Sequence, residues 1–191
     1  MDALGSLLVY VRIAVRALQG LEPDRVIYLG TTSKTLAPGL RLGWIAAPTA
    51  LVAELRTTKN LLDAGSPALQ QLALARLLRS GDYARHVRRA RTIYRRRRDV
   101  LIAQLAVHLP DGRCEGVAAG LHLLLRLPPG VDDTHVVDAA AARGLRVQAV
   151  SSHCVASEPN GGLVLGYGRL HESAIPAAVQ ELAGVIDALR P

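Results

Sequence analysis

Apolar positions change their period several times along this chain. Leu4, Leu7, Leu8, Val11, Val15 and Leu18 recur at helical spacing, so residues 1–19 form a helix-compatible lead. Two short apolar runs follow, Val26 to Leu29 and Leu42 to Ala47, and their Gly and Pro boundaries mark both as covered strands. Helical period returns after Pro48, from Thr49 to Leu62. Ser66-Pro67 reads as the N-cap and first residue of a second helix, which carries Leu69, Leu72, Ala73 and Leu77 and ends at Ser80-Gly81. Asp82 caps a third helix, predicted to reach His108 along Val87, Ala90, Ile93 or Tyr94, Leu101 and Leu105, before Pro110-Asp111-Gly112.

The pattern then shortens. Leu121 to Leu127 runs more than it alternates, which predicts a covered strand stopped by Pro128-Pro129-Gly130. Asp132 or Asp133 starts a helix through Ala142. Arg146 to Val150 and Leu163 to Gly166 are strands on either side of a polar loop, and Glu172 to Leu189 is the last helix. Such a tail makes a small α/β layer. The expected organisation is a lead (1–19), part of a larger domain (20–80), a long helix (81–110) and a small α/β domain (111–191).

Charge alters this picture in one place. Residues 76–98 hold ten arginines against one aspartate, a net of +9, which leaves −2 for the rest of a chain whose formal charge is +7. Such a helix suits nucleic-acid phosphates. A continuous run such as Arg95 to Arg98 nevertheless surrounds the helix, so at least one of its members must face protein with its stem packed. A solvated or dimer-facing helix is the reading favoured over direct DNA contact. Cys114 and Cys154 match no metal-ligand spacing, and a reduced, cytoplasmic setting follows by default. No apolar run approaches the ~18 residues of a membrane span.

The chemistry is concentrated between Arg25 and Trp44. A covered strand ends in Gly30, Thr31, Thr32, Ser33 and Lys34; a Pro38-Gly39 turn and Arg41 follow, and a second strand returns. Lysine forms Schiff bases with carbonyl compounds when a dry, cationic setting makes its amine reactive. Thr31, Thr32 or Ser33 together with Arg41 suit a phosphate, since arginine makes forked, charge-assisted contacts to phosphate oxygens. An aldehyde that carries a phosphate is pyridoxal 5'-phosphate (PLP). A surface lysine after a strand is the plainer alternative, which the spacing of the full motif disfavours. Tyr28 and Trp44 read as strand packing rather than as cofactor stackers.

These residues resemble the aminotransferase lysine motif Ser/Thr-x-Ser-Lys-x-x-x-Pro-Gly-x-Arg-x-Gly. The resemblance implies that Lys34 carries the cofactor as an internal aldimine, that Thr31, Ser33 and Arg41 hold its phosphate, and that no metal takes part. Arg85-His86-Val87-Arg88-Arg89-Ala90-Arg91 with Tyr94 to Asp99, Gly120-Leu121-His122 and Leu163-Val164-Leu165-Gly166-Tyr167-Gly168 are similar to MocR-type regulators of the GntR family. Such regulators join a winged helix-turn-helix to an aminotransferase-like domain. The resemblance therefore implies the C-terminal part of a fold type I PLP-dependent transferase: a remnant of the large-domain sheet, a long linking helix and a small α/β domain. It further implies a homodimer, an amine or amino acid as effector or substrate, and DNA contact only through a winged-helix module that the chain lacks. The alternatives are the C-terminal half of a class I/II aminotransferase and an inactive truncated remnant. Because the family's aspartate for the pyridine nitrogen is absent here, weak or no turnover is expected of the isolated chain. Gly161-Gly162 stand where aminotransferases often place a carboxylate-binding arginine, with Arg169 as a substitute candidate.

Overall fold

The computed structural model describes residues 17–116, 119–155 and 161–191. Most of the helix-compatible lead, residues 1–16, lies outside the described residues. The chain forms two compact units, one ending at Arg91 and one beginning at Thr92.

In the first unit, β1 (Tyr28–Thr31) and β2 (Gly43–Ala46) pair antiparallel with Leu29 opposite Ile45 and Gly30 opposite Trp44. β1 is displaced toward Thr31 from the apolar run that predicts it, and β2 is shorter than its run. The Val26 amide is spent in the preceding turn, donating to the Glu22 carbonyl at 3.1 Å. At the other end, Leu42 turns its carbonyl to the loop before β2. Then come α1 (Thr49–Asp63), α2 (Ala68–Arg79) and α3 (Asp82–His108), the last crossing from the first unit into the second. Ser66 does not cap α2, because Pro67 holds the cap position and no side chain caps the helix. The Ser66 hydroxyl instead meets Lys59 Nζ at 2.5 Å, beside the Lys59–Asp63 pair.

The second unit contains a four-stranded antiparallel sheet in the order β3 (Arg113–Glu115), β4 (His122–Arg126), β6 (Gly162–Gly166), β5 (Gln148–Ala149). The polar triplet β3 carries no apolar pattern and becomes a strand by pairing with β4. Helices α4 (Asp133–Ala142) and α5 (Ile175–Ala188) complete the unit. Its core contains Leu125, Val136, Leu163, Tyr167, Ile175 and Ile186, all fully buried. Each such aliphatic side chain contributes roughly 1.5–3 kcal/mol by leaving water. The first unit differs. Its hairpin and helices leave Leu29, Ile45, Leu61, Leu62, Leu69 and Leu72 exposed, while Thr32 and Thr35 are buried.

Candidate functional site

The loop between β1 and β2 carries the proposed chemistry, and hydroxyl groups shape it. The Thr31 hydroxyl lies 2.9 Å from the Ser33 hydroxyl and 3.1 Å from the Leu42 carbonyl, and accepts the Ser33 amide at 3.1 Å. Thr32 donates its amide (3.0 Å) and its hydroxyl (3.2 Å) to that same carbonyl and is fully buried. Of the three hydroxyls weighed from the sequence, Thr32 is therefore committed inward, and Thr31 with Ser33 forms the pair that remains. The Thr32 carbonyl in turn accepts the amides of Thr35 (3.1 Å) and Leu36 (2.8 Å). That winds residues 33–36 into turns with Lys34 on the outside. Lys34 is exposed, and among the described residues its ammonium has no hydrogen-bond or ion-pair partner. The dry surroundings expected for this amine are not provided by the described residues, which leave Lys34 exposed between the buried Thr32 and Thr35.

Arg41 follows the 3₁₀ turn Pro38–Leu40, its amide bonded to the Pro38 carbonyl at 3.1 Å. Its backbone is left-handed, with φ 51° and ψ 29°. A residue with a Cβ holds that conformation at a cost of about 1–2 kcal/mol. The very next carbonyl, that of Leu42, is the one gripped by Thr31 and Thr32, so the arginine turn and the hydroxyl loop are knitted through backbone. Arg41 also lines a cleft of about 640 Å³ with Leu40, Trp44, Asn60, Gln70 and Leu74. Lys34, Thr31 and Ser33 are not among the lining residues. The structure thus unites Thr31 with Ser33 and ties both to the backbone beside Arg41, without bringing Lys34 into the cleft that Arg41 lines.

Between Asp24 and Glu54 the chain has no acidic side chain. A cationic loop offering two hydroxyls, a primary amine and a guanidinium fits a phosphate monoester bearing an aldehyde. The support beneath the loop is steric. A Cβ on Gly30 would stand 2.2 Å from Trp44 Cε2, so the indole lies across the glycine and acts as strand packing.

Sequence reading missed three residues that brace the loop. The Thr35 hydroxyl receives the Tyr83 hydroxyl at 3.0 Å, and the Thr35 carbonyl accepts His86 Nε2 at 2.7 Å. Tyr83 and His86, three apart on α3, share a helical face. That spacing was legible, whereas a target about fifty residues earlier was not.

Elsewhere, Arg97 and Arg98 are the half-buried members of the arginine run, and Arg97 has a bonded protein partner. It donates to the Gly168 carbonyl at 2.6 Å and lies 5.8 Å from the Tyr94 ring centroid. Gly161 and Gly162 are closely packed: added Cβ atoms would stand 3.0 Å from the Val131 carbonyl oxygen and from Val150 Cγ2. The two candidate helix starters divide the work. Asp132 caps α4, accepting the Thr134 and His135 amides. Asp133 is buried, and its carboxylate accepts the Ser151 hydroxyl (2.6 Å), the Ser151 amide (3.0 Å) and the Gly162 amide (3.1 Å). Burial alone would raise its pKa, but these bonds to the ionised form outweigh it and leave the pKa below the usual carboxylate value. Among the described residues no group of three or more His, Cys, Asp or Glu is arranged to hold a metal, and no helix is long and apolar enough to cross a membrane.

This partial α/β architecture is that of the fold type I PLP-dependent transferases. The kynurenine aminotransferase of Pyrococcus horikoshii, solved with PMP, superposes with a TM-score of 0.86 at 24% identity, over 97% of this chain and 47% of that one. The multiple substrate aminotransferase of Thermococcus profundus gives 0.85 at 26%, over 96% and 46%. The family model described as aminotransferase class I and II matches residues 5–161, and the chain belongs to that family, whose cofactor is PLP. Its relatives include several helix-turn-helix regulators, as the MocR resemblance implies. An uncharacterized HTH-type transcriptional regulator of Bacillus subtilis, YhdI, is 35% identical over 170 residues, covering 88% of this chain. PdxR of Corynebacterium glutamicum, a pyridoxine biosynthesis transcriptional regulator, is 33% identical over 185 residues, or 97%. The chain spans 36% and 40% of the lengths of these two regulators.

Proposed function

We propose that this chain is PLP-binding sequence from the aminotransferase-like domain of a MocR-type transcriptional regulator, with Lys34 as the amine that carries the cofactor. Thr31, Ser33 and Arg41 hold the phosphate: the hydroxyls donate to its oxygens, that of Thr31 by turning its single hydrogen away from its present partners, and the guanidinium balances their charge. The observation that carries the reading is the bonding of Thr31 to Ser33 and to the Leu42 carbonyl, which ties the lysine loop to the arginine turn in a stretch without acidic side chains. When bound, PLP supplies an electrophilic carbonyl and an electron sink. Amines and amino acids compete with Lys34 for that carbonyl, which is how an effector would be sensed. DNA contact belongs to a winged-helix module that these residues do not include. The exposed apolar side chains of Leu61, Leu62, Leu69 and Leu72 support a homodimer, and a regulator of this kind would work in the cytoplasm. Residues 20–80 serve as the cofactor-holding part and 111–191 as the small domain.

Two lysines make the test decisive, since Lys34 and Lys59 are the only ones. The protein is incubated with PLP, reduced with borohydride and digested, and its peptides are weighed. A pyridoxyl group on the Lys34 peptide, lost in Lys34→Ala, is the expected result; modification of Lys59 alone refutes it. A free aminotransferase is the second reading, favoured by the likeness to the Thermococcus enzyme. There Lys34 would also move a proton during amino transfer, and steady turnover of an amino acid with a 2-oxo acid would select this reading.

A further inference from the structure

Thr35 is 4% exposed, and every polar group it has is engaged. Its amide donates to the Thr32 carbonyl at 3.1 Å, and its hydroxyl lies 3.4 Å from the same oxygen while receiving Tyr83 at 3.0 Å. Its carbonyl accepts from His86 at 2.7 Å. A carbonyl can only accept, so His86 Nε2 carries the hydrogen in whichever charge state the ring adopts. His86 is itself exposed, so its role here is this bond rather than core filling. Burying a threonine this completely costs free energy unless its groups are bonded, and α3 supplies two of the bonds.

We propose that Tyr83 and His86 are positioning residues for Lys34. From one face of α3 they clamp the residue that follows it, and so set the direction in which its side chain leaves the backbone. The inference rests on the reading of Lys34 as the cofactor-carrying amine. A lysine side chain has a long flexible stem, so the backbone at its root is the part the fold can fix in advance. Reaction with a bound carbonyl rewards that fixing, because a small misplacement of a reacting group is costly. Ser33 is held on the opposite flank, its amide on the Thr31 hydroxyl. Lys34 therefore springs from a turn pinned on both sides, and the α3 side of the clamp can be removed by single substitutions.

His86→Ala, His86→Gln and Tyr83→Phe separate the possibilities. In the cofactor-free protein, hydrogen exchange at the Thr35 and Leu36 amides should rise about fivefold in His86→Ala, the factor expected for one lost neutral hydrogen bond. His86→Gln, whose amide can still donate to the carbonyl, should restore most of the protection, and Tyr83→Phe should fall between. The Kd for PLP, read from borohydride trapping on the Lys34 peptide, should follow the same order, rising about fivefold in His86→Ala. Global melting temperature should fall by only a few degrees, the effect of one lost hydrogen bond at about 1 kcal/mol, because neither side chain belongs to the hydrophobic core. If wild type traps cofactor on Lys34 and all three variants match it in exchange and Kd, the clamp is refuted while the function stands. Equal loss in His86→Gln and His86→Ala also refutes it, since rescue by a donor is what the geometry demands. If wild type traps nothing on Lys34, the functional reading fails and takes the positioning role with it.

Discussion

Gly30→Ala tests whether the hairpin really holds the lysine loop in place. The added methyl would stand 2.2, 2.4 and 2.5 Å from Trp44 Cε2, Cζ2 and Nε1. Comfortable carbon contacts begin near ~3.5 Å, so the ring must retreat by more than ~1 Å. It has somewhere to go, because Trp44 is 38% exposed. The cost therefore stays near the ~1–3 kcal/mol typical of an overpacked site. Replacing a strand glycine returns roughly 0.5–1 kcal/mol of chain entropy. A net loss of about 1–2 kcal/mol remains, felt next to Thr31. Trp44 is the only tryptophan, so its fluorescence reads the hairpin without background. Gly30→Ala should shift the emission to the red and lower PLP trapping on Lys34. Adding Trp44→Leu removes the obstructing ring and should recover most of the trapping. Unchanged emission and trapping in Gly30→Ala would show that the indole does not brace the loop, and the steric account would be wrong.

Two further outcomes separate folding from binding. Arg41 sits at φ 51°, so Arg41→Gly should keep or raise thermal stability by about 1 kcal/mol, the left-handed penalty, while weakening PLP binding. Losing a charged contact of ~1.5–3 kcal/mol corresponds to roughly ten- to hundredfold in Kd, checked by titration with inorganic phosphate as competitor. In the second unit, Asp133 has a folded pKa below its unfolded one, so its contribution is full at neutral pH, starts to fade near pH ~4 as the unfolded chain takes up protons, and is gone below the folded value. Asp133→Asn should cost about 2–3 kcal/mol at neutral pH and flatten the acid limb of a melting-temperature profile; parallel profiles for the two proteins would contradict this.

Much of the architecture was readable before any coordinates. The long helix from Asp82 to His108 and the terminal helix announced themselves through apolar spacing. So did the packed arginines: a run from Arg95 to Arg98 must turn at least one member inward, and Arg97, on the Gly168 carbonyl, and Arg98 are half-buried. The misreadings fell where local grammar has competitors. Ser66 had the sequence of an N-cap, yet Lys59 and Asp63 claim the surroundings of its hydroxyl and the cap position falls to Pro67. Arg113–Glu115 had no strand pattern at all, because an edge pairing with β4 asks only for backbone.

By itself the sequence determined the motif: which amine, which hydroxyls and which guanidinium stand at fixed offsets around a turn. Those offsets act through neighbouring backbone, and their chemistry depends on residue type. Tertiary structure alone decided which hydroxyl is spent inward, that Lys34 stands out from the hairpin, and that Thr35 is gripped by Tyr83 and His86. Each of these turns on partners about ten to fifty residues away. Burial and hydrogen bonding are properties of neighbours in space, and a linear pattern names the groups without saying which of them will meet.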